Sequence, residues 1–354
     1  MRLDIIVPHY REPWEVCKYL FDSIALQRGF SMNNLKVIVV NDGDCLLDEE
    51  KFKNYPYQIE YLVKEHGGVS AARNYGLDHS DADYVMFCDI DDGFLSNYGL
   101  HLVFSAMQEG FDYLVSNFVE ETYSANNTMT IVRHDKDLTF MHGKAYRRQF
   151  LVDHDLRFDP AMTLHEDGYF NMLVFSVATN EGKSRQIETP FYLWRWNDNS
   201  VVRTNKENFV LRTYDSVMQT RIGLCDQLKK RGYEKELRTA VAMTFLNSYY
   251  DFQKPSWNMD KNKKDVQKAE REFRKFYVRF KSIFFDMTNK EISEIAIAAR
   301  QNALNNGFLM EGETLKEFLK RVGENESSGL LRLQGNLQGH GVGGKVAPLQ
   351  LGRR

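Results

Sequence analysis

Tyr84-Val85-Met86-Phe87-Cys88-Asp89-Ile90-Asp91-Asp92 is the stretch that decides the fold. A short apolar run stops abruptly in three carboxylates, as a buried strand does when it leaves a sheet. The same grammar recurs on either side. Leu35–Val40 is an apolar run ending in Asn41-Asp42-Gly43-Asp44, Leu3–Val7 ends at Pro8, and Gln58–Val63 reads as a third short strand before this one. Between these runs, Glu15–Leu26 and Val69–Leu77 place apolar residues at helical spacing. Short apolar strands alternating with helices predict an α/β fold with a mostly parallel sheet covered on both faces. Such sheets bind ligands beyond the carboxyl ends of their strands, so the polar residues after each run are the candidates for chemistry.

Four groups stand out there. Asp89 and Asp91 form a D-x-D pair, and hard carboxylate oxygens so close together suit Mg2+ or Mn2+, ions that also bind a diphosphate. A divalent ion at such a place offsets charge on a nucleotide diphosphate leaving group. Asp42 can accept from the N–H edge of a pyrimidine base. His66-Gly67-Gly68 leads into a small-residue helix carrying Arg73, and helix-start N–H groups with a guanidinium suit phosphate or nucleobase contacts. Glu166-Asp167 opens another helical stretch, where a carboxylate can act as a general base or simply cap the helix. Each signal alone is also what an acidic turn, a glycine turn or a helix cap would produce. Their order along one chain is more specific than any one of them.

In that order they resemble the family 2 glycosyltransferases of the GT-A fold, over about residues 1–202. The resemblance rests on IVPHY (6–10), VVNDGD (39–44), HGGVSAARNYGL (66–77), FCDIDD (87–92), HGKAYRRQFL (142–151), LHEDGYF (164–170) and FYLWRWNDNS (191–200). It implies a GT-A domain with a Rossmann-like mixed sheet, a nucleotide-sugar donor that is most often a UDP-sugar, Mn2+ or Mg2+, and inversion at the anomeric carbon. Carried onto this chain, it sets Pro8 and Tyr10 beside the nucleotide, Asp42 on the base and Arg73 on the nucleotide. Asp89 and Asp91 would hold the metal, Asp91 more strongly. Asp167 would be the catalytic base, with Glu166 beside it. Lys144, Tyr146, Trp194 and Arg195 lie in segments that flank donor or acceptor. The chain departs from the family pattern at Asn41-Asp42-Gly43-Asp44, at His66 and at His9.

The remaining 152 residues read differently. Residues 203–354 hold 28 basic against 18 acidic groups, whereas residues 1–202 hold 18 against 31. Apolar spacing predicts helices over Val210–Leu228, Leu237–Phe252 and Glu313–Val322, and a basic amphipathic helix over Lys261–Lys281. The expected organisation is a GT-A domain over 1–202, a mostly helical region over 203–322 that binds acceptor or polyanion, and a flexible glycine- and glutamine-rich tail over 323–354. Four scattered cysteines and the absence of a long apolar stretch predict a cytoplasmic protein, at most peripheral to the inner face of a membrane. His134, His142, His154 and His165 show no zinc-site spacing and read as structural or surface groups. The acceptor implied is a glycan or a lipid-linked glycan of a surface polysaccharide. The basic half also suits DNA with hydroxymethylated bases or an anionic membrane surface. A non-catalytic sugar- or nucleic-acid-binding module is the rival of a different class.

Overall fold

The computed structural model describes residues 1–323 apart from 44, 125, 199, 201–207 and 306–311. Two compact units divide the chain, Met1–Leu237 and Arg238 onward. The first therefore continues past the boundary expected at residue 202, because helix Tyr214–Arg231 packs on helix Glu166–Glu181. Gly223 on the first helix faces Tyr169 on the second, where a Cβ would lie 3.4 Å from Tyr169 Cε2.

The first unit is built on a mixed sheet. Its parallel part is β3 (Gln58–Lys64), β2 (Leu35–Asp42), β1 (Leu3–His9) and β4 (Tyr84–Phe87), paired in that spatial order. Side chains such as Leu3, Ile5, Val37, Val39, Val85 and Met86 have no exposed surface. Each such burial contributes about 1.5–3 kcal/mol, which is why these runs read so clearly as strands. Strand order reverses beside β1, so the crevice beyond β1 and β4 is the natural ligand position. His9, Asp42 and Asp89 stand at the ends of β1, β2 and β4.

The other half was not foreseen in detail. β5 (Gly93–Phe94), β6 (Tyr113–Tyr123), β7 (Met129–His134), β8 (Lys144–Arg147) and β9 (Ser184–Trp194) extend the sheet. β8 runs antiparallel between β4 and β6, while β9 is parallel to β6 and antiparallel to β5. A register shift between Ser116 and Phe118 breaks the β6–β9 ladder.

Helices α1 (Trp14–Ala25), α2 (Val69–His79), α3 (Gly99–Glu109), α4 (Arg148–Asp153) and α5 (Glu166–Glu181) cover the sheet or flank its strands. α2 lies very close to β1, for a Cβ on Gly76 would stand 2.4 Å from Ile6 Cγ2 and 3.2 Å from Val40 Cγ2. α5 buries Phe170, Leu173, Val174 and Val177 and begins after His165, which holds a left-handed φ of 62°. A histidine in that conformation is uncommon and concentrates at functional sites.

The second unit is helical among its described residues. Phe245 stacks on Phe284 at 4.3 Å and Phe273 on Phe318 at 5.3 Å. The basic helix runs over Lys263–Asp286, and the last helix, Leu315–Gly323, starts from a Thr314/Glu317 capping box. Among the described residues no helix is long and apolar enough to cross a membrane. The tail expected at 323–354 lies outside the described residues beyond Gly323.

Candidate functional site

Helix α2 organises the site. At its start, Asp42 Oδ1 accepts from Gly67 N–H at 2.9 Å and Oδ2 from Gly68 N–H at 2.7 Å. Gly68 holds φ 86°, a conformation glycine adopts without steric cost. Lys64 Nζ donates to Asp42 Oδ1 at 2.5 Å, and His66 Nδ1 lies 2.9 Å from Oδ2. Burial would raise this carboxyl, but Lys64 and the two glycine N–H groups outweigh it and hold it below its usual range. Asp42 was expected on a base; in the structure it clamps the loop before α2, so a base N–H would compete with these donors for its lone pairs.

Above that clamp opens a cavity of about 560 Å3, lined by Tyr10, Arg11, Gly43, Lys64, Glu65 and His66. Tyr10 stacks on His66 at 4.5 Å and carries the Arg11 guanidinium 4.9 Å over its ring. Pro8 is half-buried on the neighbouring strand.

One turn into α2, Arg73 is 4% exposed and spans two carboxylates. Nη1 donates to Glu166 Oε1 at 2.9 Å and Nη2 to Asp89 Oδ1 at 2.8 Å. Phe158 lies under the guanidinium at 5.2 Å. Burial would raise Asp89, but Arg73 overrides it and holds the carboxyl low. Arg73 was expected on the nucleotide; here it ties the D-x-D loop to the start of α5. Beside it, Asp167 accepts from the Gly168 N–H at 2.8 Å, and burial together with Glu166 pushes its carboxyl up to about 7. A carboxylate poised near neutral pH is well matched to proton abstraction.

The D-x-D loop is held from the antiparallel half. Tyr192 donates its hydroxyl to Asp92 Oδ2 at 2.7 Å and accepts from Asp89 N–H at 3.2 Å, while Arg195 N–H donates to Asp92 Oδ1 at 2.9 Å. Asn197 donates to Asp91 Oδ2 at 2.7 Å. Burial and the neighbouring Asp89 raise Asp91, and burial with Asp91 and Asp89 raises Asp92 further.

Sequence reasoning did not single out His142 for this loop. It is 4% exposed, packed between Phe140 and Tyr192, with Nδ1 3.6 Å from Asp92 Oδ2 and no hydrogen-bond partner for that atom. Burial lowers it to about 3, so the ring is neutral. Asp89, Asp92 and His142 offer ligand atoms all within 4.8 Å of one another. An orphaned buried imidazole nitrogen beside carboxylates fits a divalent cation.

Three residues expected to flank donor or acceptor are engaged within the protein. Lys144 is fully buried and donates to the Phe140 carbonyl. Burial pushes its ammonium down to about 8. Trp194 packs its ring against His142 and Phe140 at 5.0 and 5.2 Å. Tyr146, also buried, donates to Asn171 Oδ1 at 2.5 Å and supports α5.

Residues 4–164 match the family model "Glycosyl transferase family 2". That match covers 161 of the 354 residues, a little under half of the chain. The mixed sheet with a helical C-terminal region agrees with the GT-A fold that the resemblance implies. The chain is similar to glycosyltransferase GlyA of Streptococcus pneumoniae serotype 4, 28% identical over 272 residues, covering 69% of this chain and 37% of GlyA. It is also similar to the minor teichoic acid biosynthesis protein GgaA of Bacillus subtilis strain 168, 27% identical, covering 59% of this chain and 51% of GgaA. The matched part thus spans about half or less of these relatives. Among solved structures, S. aureus TarS 1–349 in complex with UDP-GlcNAc shares the fold, with TM-score 0.58 and 17% identity over 85% of this chain and 92% of that one.

Proposed function

We propose that this chain is a family 2 glycosyltransferase that moves a sugar from a UDP-sugar to an acceptor hydroxyl of a surface polymer, with inversion. The observation that carries this reading is the Arg73 bridge, which sets Asp89 at one end and Glu166, next to Asp167, at the other. The nucleoside would enter the cavity above Asp42, between the β2 end and the Tyr10–His66 stack. Asp167 accepts the proton of the attacking hydroxyl as the acceptor oxygen bonds to the anomeric carbon and the nucleotide diphosphate leaves from the opposite face. Glu166, engaged with Arg73, orients the helix start rather than taking the proton.

Mn2+ or Mg2+ would be held by Asp89 and Asp91 of the D-x-D pair, with Asp92 and His142 offering further ligand atoms. Bound there, it would supply positive charge to the diphosphate. The teichoic acid connection of GgaA supports a cell-surface polymer as acceptor.

The test is purified protein offered a panel of nucleotide sugars, with nucleotide diphosphate release measured with and without glycan acceptors. Release from UDP-sugars above all others is expected. No release from any donor, with or without acceptor, sinks the reading in favour of a binding module.

A further inference from the structure

The helix Lys263–Asp286 carries eight basic residues against four acidic ones, and the two signs are not equally displayed. Lys263, Lys264, Arg271, Arg274, Lys275 and Arg279 are exposed, whereas Asp265, Glu270 and Glu272 are half-buried. Glu270 is met by Arg321 and Glu272 by Lys275. Lys264, Arg271, Arg274, Lys275 and Val278 are spaced by three, four or seven residues, so they share one stripe. At 24 residues the helix is about 36 Å long.

The opposite face decides the kind of partner. Phe273, Phe276, Tyr277, Phe280 and Phe284 are all at most 5% exposed and pack inside the unit. Amphipathic helices that lie in a membrane bury their apolar face in lipid, and here that face is already occupied. Val278 is the one large apolar side chain of the described helix that is strongly exposed. Single-stranded nucleic acid is gripped by aromatic side chains on which bases stack, and the stripe displays none. What remains is a row of cations matched to a row of anions without bases or acyl chains.

We infer that the exposed face of helix Lys263–Asp286 binds a linear phosphodiester-linked glycan, the charged acceptor polymer on which the transferase works. This rests on the reading of the chain as a transferase acting on surface polymers. Phosphates along the chain replace small counterions at Lys264, Arg271, Arg274 and their neighbours, and release of those ions makes the attraction salt-dependent.

The full chain and its Lys264→Gln/Arg271→Gln/Arg274→Gln variant are titrated with fluorescent poly(glycerol phosphate) at several salt concentrations. Dextran, phosphatidylcholine–phosphatidylglycerol vesicles and duplex DNA serve as competitors. Expected are affinity that falls steeply as salt rises, a loss of about tenfold or more in the variant, and no competition by dextran. Equal binding by the variant overturns the proposal, as does tighter binding to vesicles or DNA than to the polymer. Acceptor-free hydrolysis of UDP-sugar, measured in parallel, should be unchanged in the variant. If hydrolysis is absent from both proteins, the transferase reading fails separately from the polymer-binding result.

Discussion

Arg73 Nη1 stands 2.9 Å from Glu166 Oε1, a contact across 93 residues of sequence between two buried side chains. The same guanidinium reaches Asp89, so three charges from α2, the loop after β4 and α5 share one neutralisation scheme. Removing the cation leaves two carboxylates facing each other in a partly desolvated place.

Arg73→Ala should therefore destabilise the first unit by about 3–5 kcal/mol, the cost of breaking a buried pair. Urea unfolding reads it. Arg73→Gln with Glu166→Gln together should recover part of the loss, because no uncompensated charge is left at that pair. An unchanged midpoint in Arg73→Ala would mean the bridge contributes nothing to the fold.

As the proposed base, Asp167 should set the pH dependence of transfer. Its carboxyl, raised to about 7, must be ionised to take a proton, so kcat/KM should rise with pH up to about 7 and level off above it. Asp167→Asn should abolish that limb and the transfer with it, while calorimetry shows UDP still binding. Full activity in Asp167→Asn would remove the base from this position.

His142→Phe keeps the aromatic stack on Phe140 and Tyr192 but deletes both ring nitrogens. The variant should fold, with Mn2+ affinity lowered about tenfold or more by calorimetry and UDP affinity unchanged in the presence of chelator. Unaltered Mn2+ affinity would restrict the ion to Asp89 and Asp91.

Gly76→Ala should cost about 1–3 kcal/mol in spite of alanine's better helix propensity, because the new methyl group has Ile6 and Val40 in its way. Thermal unfolding measures it. A variant at least as stable as the parent would show that β1 and α2 can part without penalty.

The parallel half of the sheet was legible because its strands are buried on both sides and appear as uninterrupted apolar runs, each closed by a polar residue. Asp42 and Asp89 stand out by that rule, Arg73 and Asp167 by the resemblance it led to, and the structure ties Arg73 to Asp89 and to Glu166 beside Asp167. The antiparallel half was harder. β9, Ser184–Trp194, is mostly exposed or half-exposed along its first seven residues, so its sequence carries no clean period. His142 was passed over for the same reason, since its burial depends on β8 being inserted between β4 and β6 and on aromatic neighbours brought from β9. Asp92 looked like the spare member of an acidic run until Tyr192, a hundred residues away, was seen bonded to it. Lys144, read from the sequence as flanking the donor, is enclosed and bonded to the Phe140 carbonyl, a burial that its sequence neighbours do not announce.

The five steps from Gly68 to Arg73 advance about 7.5 Å along one helix, pinned at the front by Asp42 and wedged at the back against Ile6. α2 thus behaves as a ruler rather than a hinge. The spacing between the nucleoside cavity and the guanidinium is set by backbone that has no room to slide, so the protein would gauge a donor by its span before any sugar hydroxyl is read.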